Sequence, residues 1–194
     1  MSSKYSHLIV GLGNMGASYS KTRHNVGMLC LDYLVAKHRC GPYKMKVSYA
    51  SNIAELKVIT QGFEMNALLL SPVTFMNIIG KNVAKAMKNE RLEKTSLIVL
   101  HDDLEQKLGR VRVVKGTSFK GHNGLKSISQ EMGGFKDFIR FGIGIGRPEA
   151  REQNVVADYV LSNFSLSEME VLESEVYSKV YERIIGNKLT PDGV

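Results

Sequence analysis

Five short segments of this sequence place amide, imidazole or carboxylate side chains directly after apolar runs. Because ligand sites of open α/β sheets lie beyond the carboxyl ends of strands, we expect these segments to converge. A neutral histidine can take a proton from water, an aspartate can fix its tautomer, and asparagine amides can donate to a developing oxyanion. The pattern therefore predicts hydrolysis by an activated water. The segments are Gly13-Asn14, Thr22-Arg23-His24-Asn25, Thr74-Phe75-Met76-Asn77, His101-Asp102-Asp103 and Gly121-His122-Asn123-Gly124.

Other hydrolytic chemistries lack their signatures here. The sequence contains no serine or cysteine in a G-x-S-x-G elbow and no H-E-x-x-H spacing, so neither a covalent nucleophile nor a metal site is expected. Each polar residue also has a structural alternative. Asp102 could cap the turn after its strand, and Asn25 and Asn123 could cap helices. Only the coincidence of all five segments favours a site.

A glycine-rich motif offers a competing function. Residues Gly11–Gly16 match G-x-G-x-x-G after an apolar run, which is the fingerprint of a dinucleotide-binding oxidoreductase. That fingerprint requires a helix to open inside the motif, whereas polar or small residues occupy positions 17–24 before helical periodicity begins. The acid expected about 20 residues on would be Asp32, which lies inside the helical pattern. The glycines therefore more simply form a strand-to-loop turn that carries Asn14, and no cofactor is expected.

Composition and charge narrow the class of protein. The 194 residues include 26 Lys+Arg against 19 Asp+Glu, and the segment from Ser165 onward holds six acids and three bases. A basic body with an acidic tail suggests a polyanionic partner such as nucleic acid. Two cysteines without metal-ligand spacing suggest a reducing compartment, and no apolar run reaches the length of a membrane span. No signal peptide is recognised at the start, and the length predicts one domain, residues 1–194.

Hydrophobic periodicity predicts an α/β fold: a single globular domain with a mixed central β-sheet flanked by helices. Gly62 separates two β-rich runs, which predicts an antiparallel hairpin that interrupts the alternation of strands and helices. The predicted strands are His7–Leu12, the three runs VSYA, ELKVIT and MNALLL within Val47–Leu70, Thr95–Leu100, Arg110–Val114 and Phe138–Ile145. The predicted helices are Asn25–Lys37, Thr74–Asn89, Leu125–Met132 and Glu168–Ile185.

The sequence resembles the bacterial-type peptidyl-tRNA hydrolase family. The matching blocks are GLGNMGASYSKTRHNVG, SPVTFMNIIG, VLHDDLEQKLGRVRV, GHNGLKSI and FGIGIGRP followed by DYVLSNF, in order from about residue 8 to 165. The resemblance implies an enzyme that cleaves the ester between a peptide and tRNA and so frees stalled tRNA for reuse. It implies an α/β globule with a mixed sheet.

The resemblance also implies roles for individual residues. His24 matches the catalytic histidine, Asp102 the acid that partners it, and Asn123 the amide that steadies the attacking water and the oxyanion. The implied substrate contacts are Asn14 and Asn77 for the peptide and the 3′ end, the neighbouring His122, and the pocket-wall aromatics Tyr19 and Phe75. An unperturbed histidine, with a pKa near 6.5, would be mostly neutral in the cell, as a base should be. The expected phosphate contacts are Arg112, Lys115 and Lys120, with Arg110 and Lys126 nearby.

Three departures from the family pattern concern the binding of tRNA. Met15 replaces a usual proline, residues 117–120 (TSFK) replace a glycine-richer stretch, and Phe141-Gly142 replaces a frequent Leu-Arg, removing a basic side chain credited with phosphate contact. The expected partner is peptidyl-tRNA, with neither membrane nor metal, and the expected state is a monomer in the cytoplasm, with an organelle as the alternative. A catalytically silent RNA-binding relative is a second functional class. The presence together of five site residues argues against it: His24, Asp102, Asn14, Asn77 and Asn123.

Overall fold

The apolar runs of the sequence form the middle of a seven-stranded sheet in the computed structural model, which describes residues 3–149 and 152–192. The strands are β1 (His7–Gly11), β2 (Lys44–Lys46), β3 (Ser51–Thr60), β4 (Phe63–Pro72), β5 (Leu97–Asp103), β6 (Val111–Lys115) and β7 (Ile139–Gly144). The helices are α1 (Val26–Lys37), α2 (Gly80–Asn89), α3 (Asn123–Glu131), α4 (Gln153–Leu161), α5 (Leu166–Val171) and α6 (Tyr177–Ile185).

The strand order explains why the polar segments meet. The sheet runs β2-β3-β4-β1-β5-β7-β6, and the four central strands β4, β1, β5 and β7 are parallel. Strands β2 and β3 on one side and β6 on the other are antiparallel to their neighbours. The mixed sheet is therefore confirmed, and the carboxyl ends of four strands lie along one edge.

Helices cover both faces of the sheet and bury two separate cores. Helices α1 and α6 pack on one face, where Leu31, Phe141 and Val180 are buried. Helices α2 and α3 pack on the other face, where Val10, Val99 and Ile128 are buried. The strands between these layers are buried on both sides, which is why they read as continuous apolar runs.

The chain departs from the sequence prediction at several places. The VSYA run is not a strand: Val47–Tyr49 form a 3₁₀ turn, and Ala50 follows with a left-handed φ of 43°. The short edge strand β2, whose three residues are all exposed, was not predicted, nor was α4, which has no fully buried residue. One π-helical segment, Leu172–Val176, joins α5 to α6 inside the predicted final helix. The outer limits of the predicted domain, 1–194, lie outside the described residues.

Helix α1 approaches the sheet closely at a glycine. A Cβ on Gly27 would lie 2.2 Å from the backbone oxygen of Leu100 and 2.7 Å from the backbone nitrogen of Leu12. The Leu12 amide donates to the Leu100 carbonyl, so both strands that flank α1 are fixed at this point. Because the obstructing atoms are backbone, they cannot move aside as a side-chain tip would.

We expect Gly27→Ala to destabilise the fold by about 2–3 kcal/mol, since overpacking would push α1 away from β1 and β5. Chemical denaturation followed by circular dichroism measures this loss. Ala36→Ser on the exposed face of the same helix is the matched control and should change stability by less than about 0.5 kcal/mol. Equal stability of the two variants would contradict the close-approach argument.

Candidate functional site

The predicted convergence of the polar segments is confirmed. Asn14 follows β1, Asn77 lies in the 3₁₀ turn Met76–Ile78 beyond β4, and Asp102 lies within the last residues of β5. His24 lies in a 3₁₀ turn directly before α1, and Asn123 is the first residue of α3. All five side chains line one cleft of about 780 Å³ at the carboxyl edge of the parallel strands.

A buried carboxylate joins two histidines in this cleft. The Asp102 Oδ1 accepts a hydrogen bond from His24 Nδ1 at 2.8 Å and another from His122 Nε2 at 2.9 Å. The Asp102 side chain is only 3% exposed, so both contacts are shielded from water. With its Nδ1 proton on Asp102, His24 keeps Nε2 as a proton acceptor, which is the arrangement that a general base needs.

The tautomer of His122 follows from its second contact. The backbone amide of Leu125 donates to His122 Nδ1 at 3.3 Å, in the manner of a helix N-cap. A nitrogen that accepts cannot carry the proton in a neutral ring, so the His122 proton is on Nε2 and points at Asp102. His122, not Asn123, therefore caps α3, and it also holds the carboxylate that faces His24.

These contacts shift the ionisation of the cluster. Burial alone would lower the pKa of His24, but the charge and hydrogen bond of Asp102 outweigh it and raise that pKa above the ordinary 6.5. Burial would raise the pKa of Asp102, yet His24 and His122 hold it well below its usual range. Burial lowers the pKa of His101 to about 3, so this neighbour stays neutral. The sequence analysis expects an unperturbed pKa for His24, whereas the contacts in the structure raise this pKa.

Among the residues that the structure describes, His24, Asp102 and His122 form a group whose ligand atoms lie within 4.8 Å of one another. Metal binding through His122 Nε2 would require the proton to move to Nδ1. That nitrogen faces the amide hydrogen of Leu125, which would then meet a second donor. The hydrogen-bonding arrangement fits proton transfer better than metal coordination.

Hydrogen bonds to Asn25 and Met76 fix the position of Asn14. Its backbone amide donates to Asn25 Oδ1, and Asn25 Nδ2 donates to the Asn14 carbonyl, both at 2.9 Å. The Asn14 Oδ1 accepts from the backbone amide of Met76 at 2.8 Å. Its Nδ2 hydrogens are thereby left as the donors that a ligand can meet. Asn25 occupies the N-cap position of α1 without capping it, so its function is to orient Asn14.

The two predicted pocket-wall aromatics form a pair beside these residues. The rings of Tyr19 and Phe75 meet edge to face with centroids 6.4 Å apart, and Phe75 is 44% exposed. The Met15 amide donates to the Thr74 carbonyl, which joins the two segments that carry the rings. Met15 thus keeps the turn closed where the family usually has proline. The residues that line the cleft include neither Tyr19 nor Phe75, so the structure does not place this pair in the pocket wall.

A buried arginine that the sequence did not single out anchors the segment carrying His24. The Arg23 guanidinium donates to both Glu168 carboxylate oxygens, at 2.7 and 2.8 Å, and to Ser162 Oγ at 2.9 Å. It also lies over the rings of Tyr159 and Phe164, with centroid distances of 4.6 and 5.2 Å. Its position next to His24 was the only signal in the sequence.

The walls of the cleft differ in chemical character. Helix α4 contributes the apolar side chains Val156, Ala157, Val160 and Leu161, and it packs on the α1 face of the sheet. The segment after β6 and the start of α3, on the other face, contribute Lys120 and Lys126. Asp102 and both histidines lie in the same cleft, between an apolar surface and a basic one.

The three predicted phosphate contacts do not all face the cleft. Arg112 and Lys120 line it, but Lys115 does not. Strand alternation explains the difference: Arg112 lies on the α2–α3 face, whereas Lys115 falls with Val113 on the opposite face. Arg112 is the cross-strand neighbour of Gly142, so a basic residue lies beside the position that lacks the family's frequent arginine.

Residues 117–120 form an irregular segment that is held by side-chain contacts despite the missing glycines. Phe119 stacks on Phe138 at 5.9 Å, and the Arg140 guanidinium lies 5.0 Å from the Phe119 ring centroid. Arg140 also donates to the Thr117 carbonyl at 2.9 Å. Lys120 adopts a left-handed φ of 47°, a conformation that glycine accepts at less cost. The aromatic and guanidinium contacts offset that cost.

The fold and site together define a class: an α/β protein whose histidine–aspartate pair is arranged to activate a water beside an open cleft. A family model described as peptidyl-tRNA hydrolase matches residues 8–188. The chain therefore belongs to the peptidyl-tRNA hydrolase family, and the resemblance noted in the sequence is confirmed.

Individual relatives agree with this assignment. The chain is 43% identical to a peptidyl-tRNA hydrolase of Ruegeria pomeroyi over 86% of this chain and 65% of that protein. It is 43% identical to one of Geobacter metallireducens over 84% of this chain and 79% of that protein. A crystal structure of peptidyl-tRNA hydrolase from Acinetobacter baumannii superposes with a TM-score of 0.81 at 28% identity, covering 97% of this chain and 92% of that one. Within the described residues, every helix is too short or too polar to cross a bilayer.

We expect Asp102→Asn to lower the pKa of His24, because the charge that stabilises its imidazolium is lost. An NMR titration of the His24 ring measures the change. Asp103→Asn, one residue along the same strand and without a contact to His24, is the matched control and should leave the titration in place. A His24 titration that is unmoved in Asp102→Asn would show that the carboxylate does not govern this ring.

Proposed function

We propose that this chain hydrolyses the ester that links a peptide to the 3′ ribose of tRNA, and so recycles stalled peptidyl-tRNA. The observation that carries the proposal is the His24–Asp102 pair in a cleft with an apolar wall on one side and basic side chains on the other. Such a cleft suits a substrate that is a peptide at one end and a polyanion at the other. Membership of the family supports the same substrate.

In the proposed reaction, His24 Nε2 takes a proton from a water molecule, and the oxygen of that water attacks the ester carbonyl carbon. Asp102 holds the Nδ1 proton and stabilises the imidazolium that forms. Asn123 steadies the water and donates to the oxyanion. The bond to the ribose oxygen then breaks, and His24 returns its proton to that oxygen. The products are a free peptide and a tRNA with its 3′ hydroxyl restored.

The remaining site residues bind the substrate in this proposal. Asn14 and Asn77 hold the peptide and the 3′ end, and Tyr19 and Phe75 contact the peptide. His122 acts chiefly through Asp102, since its Nε2 hydrogen is directed at that carboxylate. Arg112 and Lys120 contact phosphates, whereas the position of Lys115 on the opposite face removes it from this role. The enzyme works as a monomer in the cytoplasm and requires neither a metal nor a cofactor.

Incubation with labelled peptidyl-tRNA tests the activity directly. We expect His24→Ala to lower kcat by roughly 10²–10⁴ while tRNA binding survives, because only the base is lost. Asp102→Asn should lower kcat by at least about tenfold with KM little changed.

The acid limb of the wild-type rate profile should lie above pH 6.5, because neutral His24 is required and its pKa is raised. A wild-type protein that binds tRNA without releasing peptide would favour the silent RNA-binding relative.

The phosphate contacts are tested by reversing charge. Arg112→Glu and Lys120→Glu should each raise KM for peptidyl-tRNA about five- to tenfold at low salt and flatten its salt dependence, with kcat little changed. Lys115→Glu, on the same strand as Arg112 but on the other face, is the matched control with an equal change in net charge. An equal rise in KM for all three variants would indicate long-range attraction rather than contact at the cleft.

A further inference from the structure

Helix α2 presents three lysines along one exposed face. Lys81, Lys85 and Lys88, here called the lysine stripe, are spaced four and three residues apart, which places them on the same side of a helix. All three are exposed, while Val83 and Met87 on the opposite side are buried against the sheet. The stripe runs for about 10 Å along the helix axis.

The lysine stripe lacks partners of opposite charge. Helix α2 contains no acidic residue, and among residues 3–149 and 152–192 none of the three lysines forms an ion pair. The basic residues of helix α6 are different, because Lys179 pairs with Glu175 and Arg183 with Asp192. The positive charge of the stripe is therefore available to an external anion.

Two of the three lysines are unfavourable for the helix that carries them, whereas Lys88 lies in the last turn, where the helix dipole favours a positive charge. Lys81 lies in the first turn, where the helix dipole disfavours a positive charge, and no acidic residue offsets it there. Lys81 and Lys85 are also like charges four residues apart, which repel each other. Helix stability therefore does not explain Lys81 and Lys85, whereas a ligand of negative charge does.

The position of the stripe connects it to the active site. Helix α2 begins at Gly80, directly beyond the turn that carries Asn77. The Gly80 amide donates to Ser127 Oγ at 3.0 Å, so α2 contacts α3 beside Lys126, which lines the cleft. The helix that carries the stripe is thus packed against the helix that supplies Lys126 to the cleft.

We propose that the lysine stripe is a docking surface for the phosphate backbone of the tRNA stem adjoining the 3′ end. This inference rests on the proposed function and extends it from the ester to the body of the substrate. Double-helical RNA is bound mainly through its phosphates and 2′-hydroxyls, and a straight row of lysines matches that chemistry. A membrane surface fits less well, because the apolar face of α2 is buried and cannot enter a bilayer.

The test compares two substrates and two triple variants. One variant is Lys81→Glu with Lys85→Glu and Lys88→Glu; the control is Lys37→Glu with Arg39→Glu and Lys188→Glu, exposed basic residues on the α1–α6 side with the same change in net charge. One substrate is full peptidyl-tRNA, and the other is the same peptide esterified to a short CCA oligonucleotide without a stem. Steady-state kinetics at two salt concentrations give KM and kcat, and thermal melting reports the fold.

For full peptidyl-tRNA, we expect the stripe variant to raise KM at least about tenfold and to lose part of its salt dependence, with kcat unchanged. Its KM for the stemless substrate and its melting temperature should match those of wild type. An unchanged KM for peptidyl-tRNA, or an equal rise for both substrates or in both variants, would overturn the proposal while leaving the hydrolase activity intact. If wild type hydrolyses neither substrate, the proposed function fails, and filter binding of uncharged tRNA to wild type and both variants then decides on the stripe separately.

Discussion

The hydrogen bonds from two histidines to one buried carboxylate oxygen are the interaction on which the site depends. A carboxylate that is almost fully buried stays ionised only if hydrogen bonds and nearby positive charge compensate for the water it has lost. His24 and His122 supply that compensation to Asp102 from two separate elements, the turn before α1 and the start of α3. The carboxylate in turn fixes which nitrogen of each ring carries the proton. The ionisation of Asp102 and the orientation of both rings are thus one property of the site.

The sheet topology makes this cluster possible. Asp102 comes from a central parallel strand, so helices on both faces can deliver side chains to it at the carboxyl edge. Helix α1 approaches closely through Gly27, which brings His24 within reach of the end of β5. The same arrangement gives the cleft its two kinds of wall, since α4 lies on one face and α3 on the other. The cleft therefore presents both an apolar surface and a basic surface to one ligand.

Sequence reasoning was strongest where burial imposes a pattern. The central strands and α1 are apolar because they are covered, and the polar residues after them were placed correctly at one edge. The short strand β2 and the helix α4 have no fully buried residue, so their sequences carry little periodic signal. The double function of His122 depends on a contact across the fold that spacing along the chain cannot reveal. The prediction for Lys115 did not take into account that side chains alternate between the two faces of a strand. This alternation places Lys115 on the face opposite Arg112.

The contacts of Arg23 connect helices α4 and α5 to the segment that carries His24. Its side chain holds the carboxyl end of α4 and the start of α5, while its backbone continues directly into His24. Helix α4 also forms the apolar wall of the cleft and otherwise has few deep anchors. Any shift of this wall must pull on the same arginine that steadies the segment carrying His24. The position of the apolar wall and the alignment of the His24 ring are in this way geometrically linked through a single side chain.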